Sequence, residues 1–260
     1  MKLRVVLTDL DGTLLEADGS ACEEVGAILA LLRELAIPVC PVTSKTAGEV
    51  RAILHELGVA APAGFENGAG VLLANGSGEL RPEAVALATL VAEAERLRAA
   101  TGAPLRTLLE LSDAELAALT GLSGTALAAA RERQATLPLV VDPRWDGPIR
   151  AALPAYPTLS AVRGNRFLHL QGRHDKATAI PRLIELAGPG PGVTIALGDS
   201  PNDVGLLAAA DVAVIVPGAA GPHPELVRLF PDAQVAALPH GRGWAAAVRG
   251  LLADDRDGNA

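Results

Sequence analysis

Apolar positions along the first part of the chain follow two alternating patterns. Short continuous apolar runs, LRVVLT at residues 3–8 and IPVCPVT at residues 37–43, are typical of strands that are covered on both faces. Residues 22–36 and 46–58 instead carry apolar side chains at helical spacing, and Gly58 is suited to end the second helix. Strand and helix thus alternate, which predicts a mostly parallel, doubly wound sheet with helices on both faces.

This alternation is interrupted after about residue 77 and resumes near residue 171. The intervening stretch contains Ala- and Leu-rich helical patterns, followed by two apolar runs that predict strands, LPLVV and RFLHLQG. We therefore predict a Rossmann-like α/β core formed by residues 1–77 and 171–260. A smaller α+β domain, residues 78–170, is inserted into it.

The composition narrows the class of protein. A chain of 260 residues can bury a sizeable core, and its net charge of −8 argues against a general nucleic-acid binder. The two cysteines, Cys22 and Cys40, lack disulfide or metal-site spacing. The sequence contains neither a signal-peptide pattern nor an apolar run of membrane-spanning length. We expect a cytoplasmic protein with no nucleic-acid or membrane partner, while its oligomeric state is unknown from sequence.

Four polar clusters lie at the ends of predicted strands or the starts of predicted helices. They are TDLDGT after the first strand, TSKT after the second, HDK before a later helix, and GDSPND after the run TIAL. Ligands in open α/β sheets bind at the carboxyl ends of the strands. The fold therefore predicts that these distant clusters meet at one rim of the sheet.

Four aspartates at this rim suggest a cation. Asp9 and Asp11 are two residues apart in an extended segment, so both carboxylates can face the same side. Taken alone, the Asp-Gly pair also fits a turn, and Asp199 also fits a helix cap. Together with Asp203, however, four carboxylates would repel one another without a positive ion. An all-oxygen ligand set with no His or Cys cluster favours Mg²⁺.

Hydroxyl and ammonium groups accompany the carboxylates. The second cluster contains Thr43, Ser44 and Lys45, and Lys176 stands at the start of a predicted helix. Each lysine alone could be a solvated charge, but these are two of only three lysines in the chain. Hydroxyl, ammonium, carboxylate and Mg²⁺ together suit phosphoryl transfer, in which a carboxylate can be the covalent nucleophile. The chain has no P-loop sequence.

The motifs TDLDGTLL, VTSK, DK and GDSPND, in this order, resemble the four motifs of the haloacid dehalogenase superfamily of phosphatases. The resemblance implies that the inserted domain is a cap of the kind associated with sugar phosphates. It implies that Asp9 is the nucleophile, that Asp11 is the general acid and base, and that Thr43 and Lys176 bind the phosphoryl group. The Mg²⁺ ligands that it implies are Asp9, the backbone carbonyl of Asp11, Asp199 and Asp203.

A narrower resemblance concerns the substrate. The segments TSKT, ENGAG, LTGLS and RFLHL are similar to those of the mannosyl-3-phosphoglycerate phosphatases, although Ala177 stands where family members commonly have Gly. This resemblance implies a phosphorylated glycoside substrate, either the mannosyl compound or its glucosyl analogue. Three alternatives remain open: a phosphatase of another sugar or polyol phosphate, a sugar phosphomutase, and a binding module without catalysis.

Such a substrate carries a carboxylate beside its phosphate and needs further cationic groups. Lys45, Arg131 and Arg166 are candidates, with His169 as a hydrogen-bonding neighbour. Arg131 also fits a solvated helix face, and His169 also fits an ordinary strand position. The remaining candidate substrate-binding residues are Ser44, beside the predicted phosphate-binding threonine, and Glu66 and Asn67, which could contact sugar hydroxyls or shape a turn.

Overall fold

The structure is a computed structural model that describes residues 2–257, and the side chains of residues 2–253. Its strands are β1 (Leu3–Thr8), β2 (Val39–Pro41), β3 (Ala63–Phe65), β4 (Gly70–Leu72), β5 (Gly78–Leu80), β6 (Arg106–Thr107), β7 (Thr136–Val140), β8 (Leu159–Arg163), β9 (Leu168–Gly172), β10 (Val193–Gly198), β11 (Val212–Ile215) and β12 (Gln234–Val235).

Its helices are α1 (Glu23–Glu34), α2 (Ala47–Leu57), α3 (Leu87–Thr101), α4 (Asp113–Thr120), α5 (Gly124–Arg131), α6 (Asp146–Ala152), α7 (Lys176–Ala187), α8 (Val204–Ala208), α9 (Pro224–Leu229) and α10 (His240–Asp257). Within the described residues, none of them combines the length and the apolar character that crossing a membrane would require.

The central sheet has five parallel strands in the order β12-β11-β10-β1-β2. Neighbouring positions of β1 point to opposite faces, as the twofold period of a strand requires. Val6 packs on one face with α1 and α10, while Val5 and Leu7 pack on the other with α7 and α8. Both faces are therefore covered. The predicted doubly wound α/β fold is confirmed.

A second, antiparallel sheet lies between the two parts of this core in the sequence. Its strands follow the order β6-β7-β9-β8, and α3 and α6 pack on it around a separate aliphatic core that includes Leu90, Leu97, Leu137 and Leu170. Strands β3, β4 and β5 form a small antiparallel sheet beside the central one. The chain thus combines a parallel core with an inserted α+β unit, as predicted.

The loop after β2 is fixed by the start of α2. The Thr46 side chain accepts a hydrogen bond from the Glu49 amide at 3.2 Å, and the Glu49 carboxylate accepts one from the Thr46 amide at 2.9 Å. This reciprocal capping satisfies two amides that the helix itself leaves unpaired. Gly58 ends the helix with a φ of 63°, as the sequence predicted. Residues 43–46 are consequently held between a buried strand and a rigid helix start.

Candidate active site

The carboxyl ends of β2, β1 and β10 lie side by side and bring three of the polar clusters together. Asp9 follows β1 directly, Asp199 follows β10, and Thr43 comes two residues after β2. The turn after Asp11 requires glycine, because Gly12 has a φ of 82° and a Cβ there would lie 2.6 Å from the Asp199 Oδ2 atom. The fourth cluster joins them through Lys176 at the start of α7.

A buried ion trio connects these elements. The Lys176 ammonium lies 2.6 Å from Asp9 Oδ1 and 2.6 Å from Asp203 Oδ1. Lys176 and Asp203 are fully buried, and Asp9 is almost so. The second oxygen of Asp203 accepts hydrogen bonds from the backbone amides of Asp199 and Ser200, both at 3.0 Å. Each of these charges is therefore fixed in position by at least one close partner.

The negative charge at the rim exceeds what one lysine balances. Carboxylate oxygens of Asp9, Asp199 and Asp203 all lie within 4.8 Å of one another. Burial, with the nearby charge of Asp203, raises the pKa of Asp199 to about 6, and burial raises the pKa of Asp9 well above its ordinary value against the attraction of Lys176. Burial alone would lower the pKa of Lys176, but attraction by Asp203 and Asp9 outweighs it and raises this pKa. The three carboxylates fit a hard divalent cation, which would relieve their repulsion.

Asp11 has different surroundings from Asp9. Its carboxylate is partly exposed and lies 2.9 Å from the Lys45 ammonium, which also lies 3.9 Å from Glu49. Burial works against the charge on Lys45, but attraction by Asp11 and Glu49 raises the pKa of this lysine. Each aspartate of the Asp-x-Asp pair thus has its own lysine, Lys176 for Asp9 and Lys45 for Asp11.

A cavity of about 440 Å³ opens in front of these groups. Most of the predicted site residues line it: Asp9, Asp11, Ser44, Lys45, Arg166, His169 and Asp199. Thr43, Lys176 and Asp203 are buried at the same rim rather than on the cavity wall. Arg166 and His169 come from the hairpin between β8 and β9 and from β9 itself. The cavity therefore lies between the parallel core and the inserted unit.

Glu66 and Asn67 make internal contacts. The fully buried Glu66 carboxylate accepts hydrogen bonds from the amides of Gln134, Ala135 and Thr136, at 2.7–2.9 Å, and from the Thr136 hydroxyl at 2.8 Å. Asn67 donates to Gln171 Oε1 at 2.9 Å and accepts from Asn202 at 3.2 Å. These two side chains join the core to the inserted unit, and contact with sugar hydroxyls stays a prediction.

Arg131 is not brought to the cavity. Its guanidinium donates to the carbonyl oxygens of Leu108 and Leu111 and to Asp113 Oδ1 at 2.9 Å. It does not belong to the cavity lining, whereas Arg133, only two residues further on, does. Binding of substrate by Arg131 therefore stays a prediction without support from this geometry.

Four further residues surround the site and were not predicted from the sequence. Thr13 and Asn165 donate to the two oxygens of Asp199 at 3.0 and 2.9 Å, and His240 Nδ1 lies 3.2 Å from the Gly12 carbonyl oxygen. Arg133 is the fourth. Thr13 could have been found, since it belongs to the first motif. The other three lie outside the motifs and reach the site only through the folding of distant segments.

Comparison with known proteins agrees with the site. Residues 6–81 match the family model of haloacid dehalogenase-like hydrolases. The chain is 28% identical to a glucosyl-3-phosphoglycerate/mannosyl-3-phosphoglycerate phosphatase of Persephonella marina, over 95% of this chain and 97% of that one. It is also 28% identical to a protein of the same name from Methanococcoides burtonii, over 82% and 84% of the two chains.

A solved structure shows the same fold. A haloacid dehalogenase-like hydrolase from Bacteroides thetaiotaomicron superposes with a TM-score of 0.71 at 18% identity, covering 96% of this chain and 100% of that one. The chain is therefore similar to the haloacid dehalogenase-like hydrolases over residues 6–81, which contain the first two motifs of the rim. Over most of its length it resembles the phosphatases of P. marina and M. burtonii.

The Glu66 contacts generate a prediction about stability. Glu66→Gln places an amide NH₂ group against backbone donors, so at least one buried group loses its partner. We expect the free energy of unfolding to fall by about 2 kcal/mol or more, as measured by denaturant titration. Glu95→Gln, at an exposed ion pair with Arg98, is the matched control and should change stability by less than about 0.5 kcal/mol. Equal stability of the two variants would contradict a joining role for Glu66.

Proposed function

We propose that this protein is a Mg²⁺-dependent phosphatase of mannosyl-3-phosphoglycerate and its glucosyl analogue, releasing the glycosylglycerate and phosphate. One observation carries the reaction type: at the cavity, Asp9 and Asp11 each contact a different lysine, at 2.6 Å and 2.9 Å. Two neighbouring carboxylates with separate partners can take separate roles, one as nucleophile and one as proton carrier.

Asp9 is the proposed nucleophile. It lines the cavity, and its contact with the Lys176 ammonium fixes its orientation and opposes the rise in its pKa that burial causes. In the first step a carboxylate oxygen of Asp9 attacks phosphorus in line with the leaving oxygen, giving an aspartyl-phosphate. Lys176, with the hydroxyl of Thr43, would stabilise the charge on the transferring phosphoryl group.

Asp11 is the proposed acid and base. It reaches the cavity and is partly exposed, so it can exchange protons with water between turnovers. It would give a proton to the leaving alkoxide in the first step. In the second step it would take a proton from the water that attacks the aspartyl-phosphate.

Magnesium would be held by Asp9, the Asp11 backbone carbonyl, Asp199 and Asp203. The support is chemical: the donors are all oxygen, and the carboxylates are close together with only one lysine between two of them. When bound, the ion would neutralise phosphate charge and offset the repulsion among the carboxylates. Thr13 and Asn165 would orient Asp199 for this role through their hydrogen bonds to its two oxygens.

The inserted domain is the proposed source of substrate selection. In this proposal residues 1–77 and 171–260 carry out the chemistry, and residues 78–170 form a cap that recognises the rest of the substrate. Residues from both parts line one cavity, which supports this division. The two relatives are named as phosphatases of phosphoglycerate glycosides, which supports a substrate of this class.

The substrate assignment is tested by measuring phosphate release from a panel. The panel contains mannosyl- and glucosyl-3-phosphoglycerate, mannose 6-phosphate, glucose 6-phosphate and glycerol 3-phosphate. We expect kcat/KM for the two glycosides to exceed that for the simple esters by about 100-fold or more. The reason is that only the glycosides would contact both the core wall and the inserted-unit wall of the cavity. A higher kcat/KM for a simple ester would overturn the substrate assignment. Formation of a rearranged sugar phosphate without free phosphate would indicate a mutase.

The nucleophile is tested by Asp9→Asn. An amide is a far weaker nucleophile than a carboxylate, so we expect kcat to fall by about 1,000-fold or more and acid-trapped phosphoenzyme to disappear. Asp232→Asn, an exposed aspartate outside the cavity lining, is the control and should retain wild-type kcat. Near-normal turnover by Asp9→Asn would rule out the mechanism.

Metal binding is tested without reference to activity. Saturating Mg²⁺ should raise the unfolding temperature of the metal-free protein by several degrees, because the ion binds only the folded arrangement of carboxylates. NaCl at equal ionic strength controls for screening. Asp199→Asn should lose most of the Mg²⁺-dependent increase, and an undiminished increase in this variant would place the ion elsewhere.

A further inference from the structure

The wall of the cavity contributed by the inserted unit carries two polar side chains with unused hydrogen-bonding capacity. Arg133 lies between α5 and β7, and His169 lies in β9. Both line the same cavity as the carboxylates of Asp9, Asp11 and Asp199. The catalytic scheme proposed above gives no role to either residue.

The Arg133 guanidinium is fixed in position, but not all of its N–H donors have a hydrogen-bond partner. Its Nη1 atom donates to the Ser44 carbonyl oxygen at 3.1 Å and to the Thr136 hydroxyl at 2.7 Å, and neither partner is a carboxylate. Its Nε atom is buried and has no hydrogen-bond partner among the described residues. The backbone just after it is fixed because Glu66 accepts from the next three amides. A guanidinium has five N–H donors, so several remain for a ligand.

The other cations near the cavity are less suited to a second anion. The Lys45 ammonium is already paired with Asp11, and Arg131 is bound to Asp113 away from the cavity. Arg166 lines the cavity from an exposed hairpin, where a charge pair is weakened by water. Arg133 combines a fixed position, a free donor and contact with the loop that carries Ser44 and Lys45.

His169 offers a different kind of group beside it. The residue is only 3% exposed, and its Nδ1 atom is buried without a partner. Burial, with the charges of Arg133, Lys176 and Arg163, holds the pKa of His169 well below its ordinary value, so the imidazole is neutral at pH 7. A neutral imidazole can donate one hydrogen bond and accept another, which suits a hydroxyl rather than a carboxylate.

We infer that Arg133 and His169 form the subsite for the leaving group, in which the guanidinium pairs with the substrate carboxylate and the imidazole binds a neighbouring hydroxyl. In a 3-phosphoglycerate ester two carbons separate the carboxylate from the ester oxygen. The hydrogen bond to the Ser44 carbonyl places the guanidinium beside the loop that also carries Thr43, the proposed phosphate-binding threonine, which suits that short spacing. The inference rests on the proposed function, since it assumes a carboxylate-bearing phosphate ester.

The test compares two substrates that differ only in charge. One is glucosyl-3-phosphoglycerate, and the other is its analogue with a hydroxymethyl group in place of the carboxylate. For Arg133→Met we expect kcat/KM to fall about 10- to 100-fold on the carboxylate substrate, mainly through KM, and less than about 3-fold on the analogue. Arg133→Lys, which keeps the charge but not the planar fork, should lose less on the carboxylate substrate.

Two further variants separate charge recognition from general damage. His169→Leu should reduce kcat/KM by the same factor on both substrates, because a neutral imidazole forms no ion pair with the carboxylate. Arg144→Met, at a largely exposed arginine of the inserted unit, should leave kcat/KM unchanged on both substrates. Equal losses on both substrates for Arg133→Met would overturn the carboxylate assignment. A loss confined to the carboxylate substrate for His169→Leu would overturn the hydroxyl assignment.

Failure of the proposed function gives a distinct result. If the wild-type enzyme hydrolyses other phosphate esters but neither glycoside, the proposed substrate is wrong. The subsite is then tested directly by calorimetric titration with glycerate and with glycerol. Binding of glycerate by the wild type, at least about 10-fold weaker in Arg133→Met, would support the subsite. Equal binding by the two proteins would overturn it.

Discussion

The shared contact of Asp9 and Asp203 with the Lys176 ammonium is the constraint on which the rest of the site depends. All three side chains are buried, so removal of the ammonium would leave two uncompensated carboxylates away from water, at a cost of several kcal/mol. Asp9 follows β1, Asp203 follows β10, and Lys176 begins α7. The trio therefore fixes the relative positions of three elements and, with them, the orientation of Asp9, the proposed nucleophile.

The inserted unit depends on a second buried carboxylate. Glu66 comes from the core but accepts its hydrogen bonds from residues 134–136, and the Asn67 side chain connects Gln171 with Asn202. These bonds join the two walls of the cavity through groups with little access to water, where hydrogen bonds are strong and their loss is costly. The connection lies at the base of the cavity wall that carries Arg133, so the position of that wall is set by the core.

The rim could be predicted from the sequence, whereas the opposite wall could not. Parallel strands end at a common edge, so the motifs containing Asp9, Thr43 and Asp199 had to converge once the fold class was known. No comparable rule applies to Arg131, the last residue of the short helix α5, and to Arg133, two residues further on. Which of them faces the cavity depends on the long-range bonds of Glu66, and a single sequence contains no periodic pattern that encodes such bonds.

The distribution of charge is consistent with one cavity binding the proposed substrate, which has two anionic groups. At the rim, a divalent cation and Lys176 would together carry three positive charges, which offset the three carboxylates so that they no longer repel a phosphate. Lys45 is already balanced by Asp11 and adds little net charge. A second anion is therefore best placed at Arg133, whose hydrogen bonds are to neutral oxygen atoms. Burial, with the charges of Arg133, Lys176 and Arg163, lowers the pKa of His169 and favours its neutral form, so these two side chains would distinguish a carboxylate from a hydroxyl.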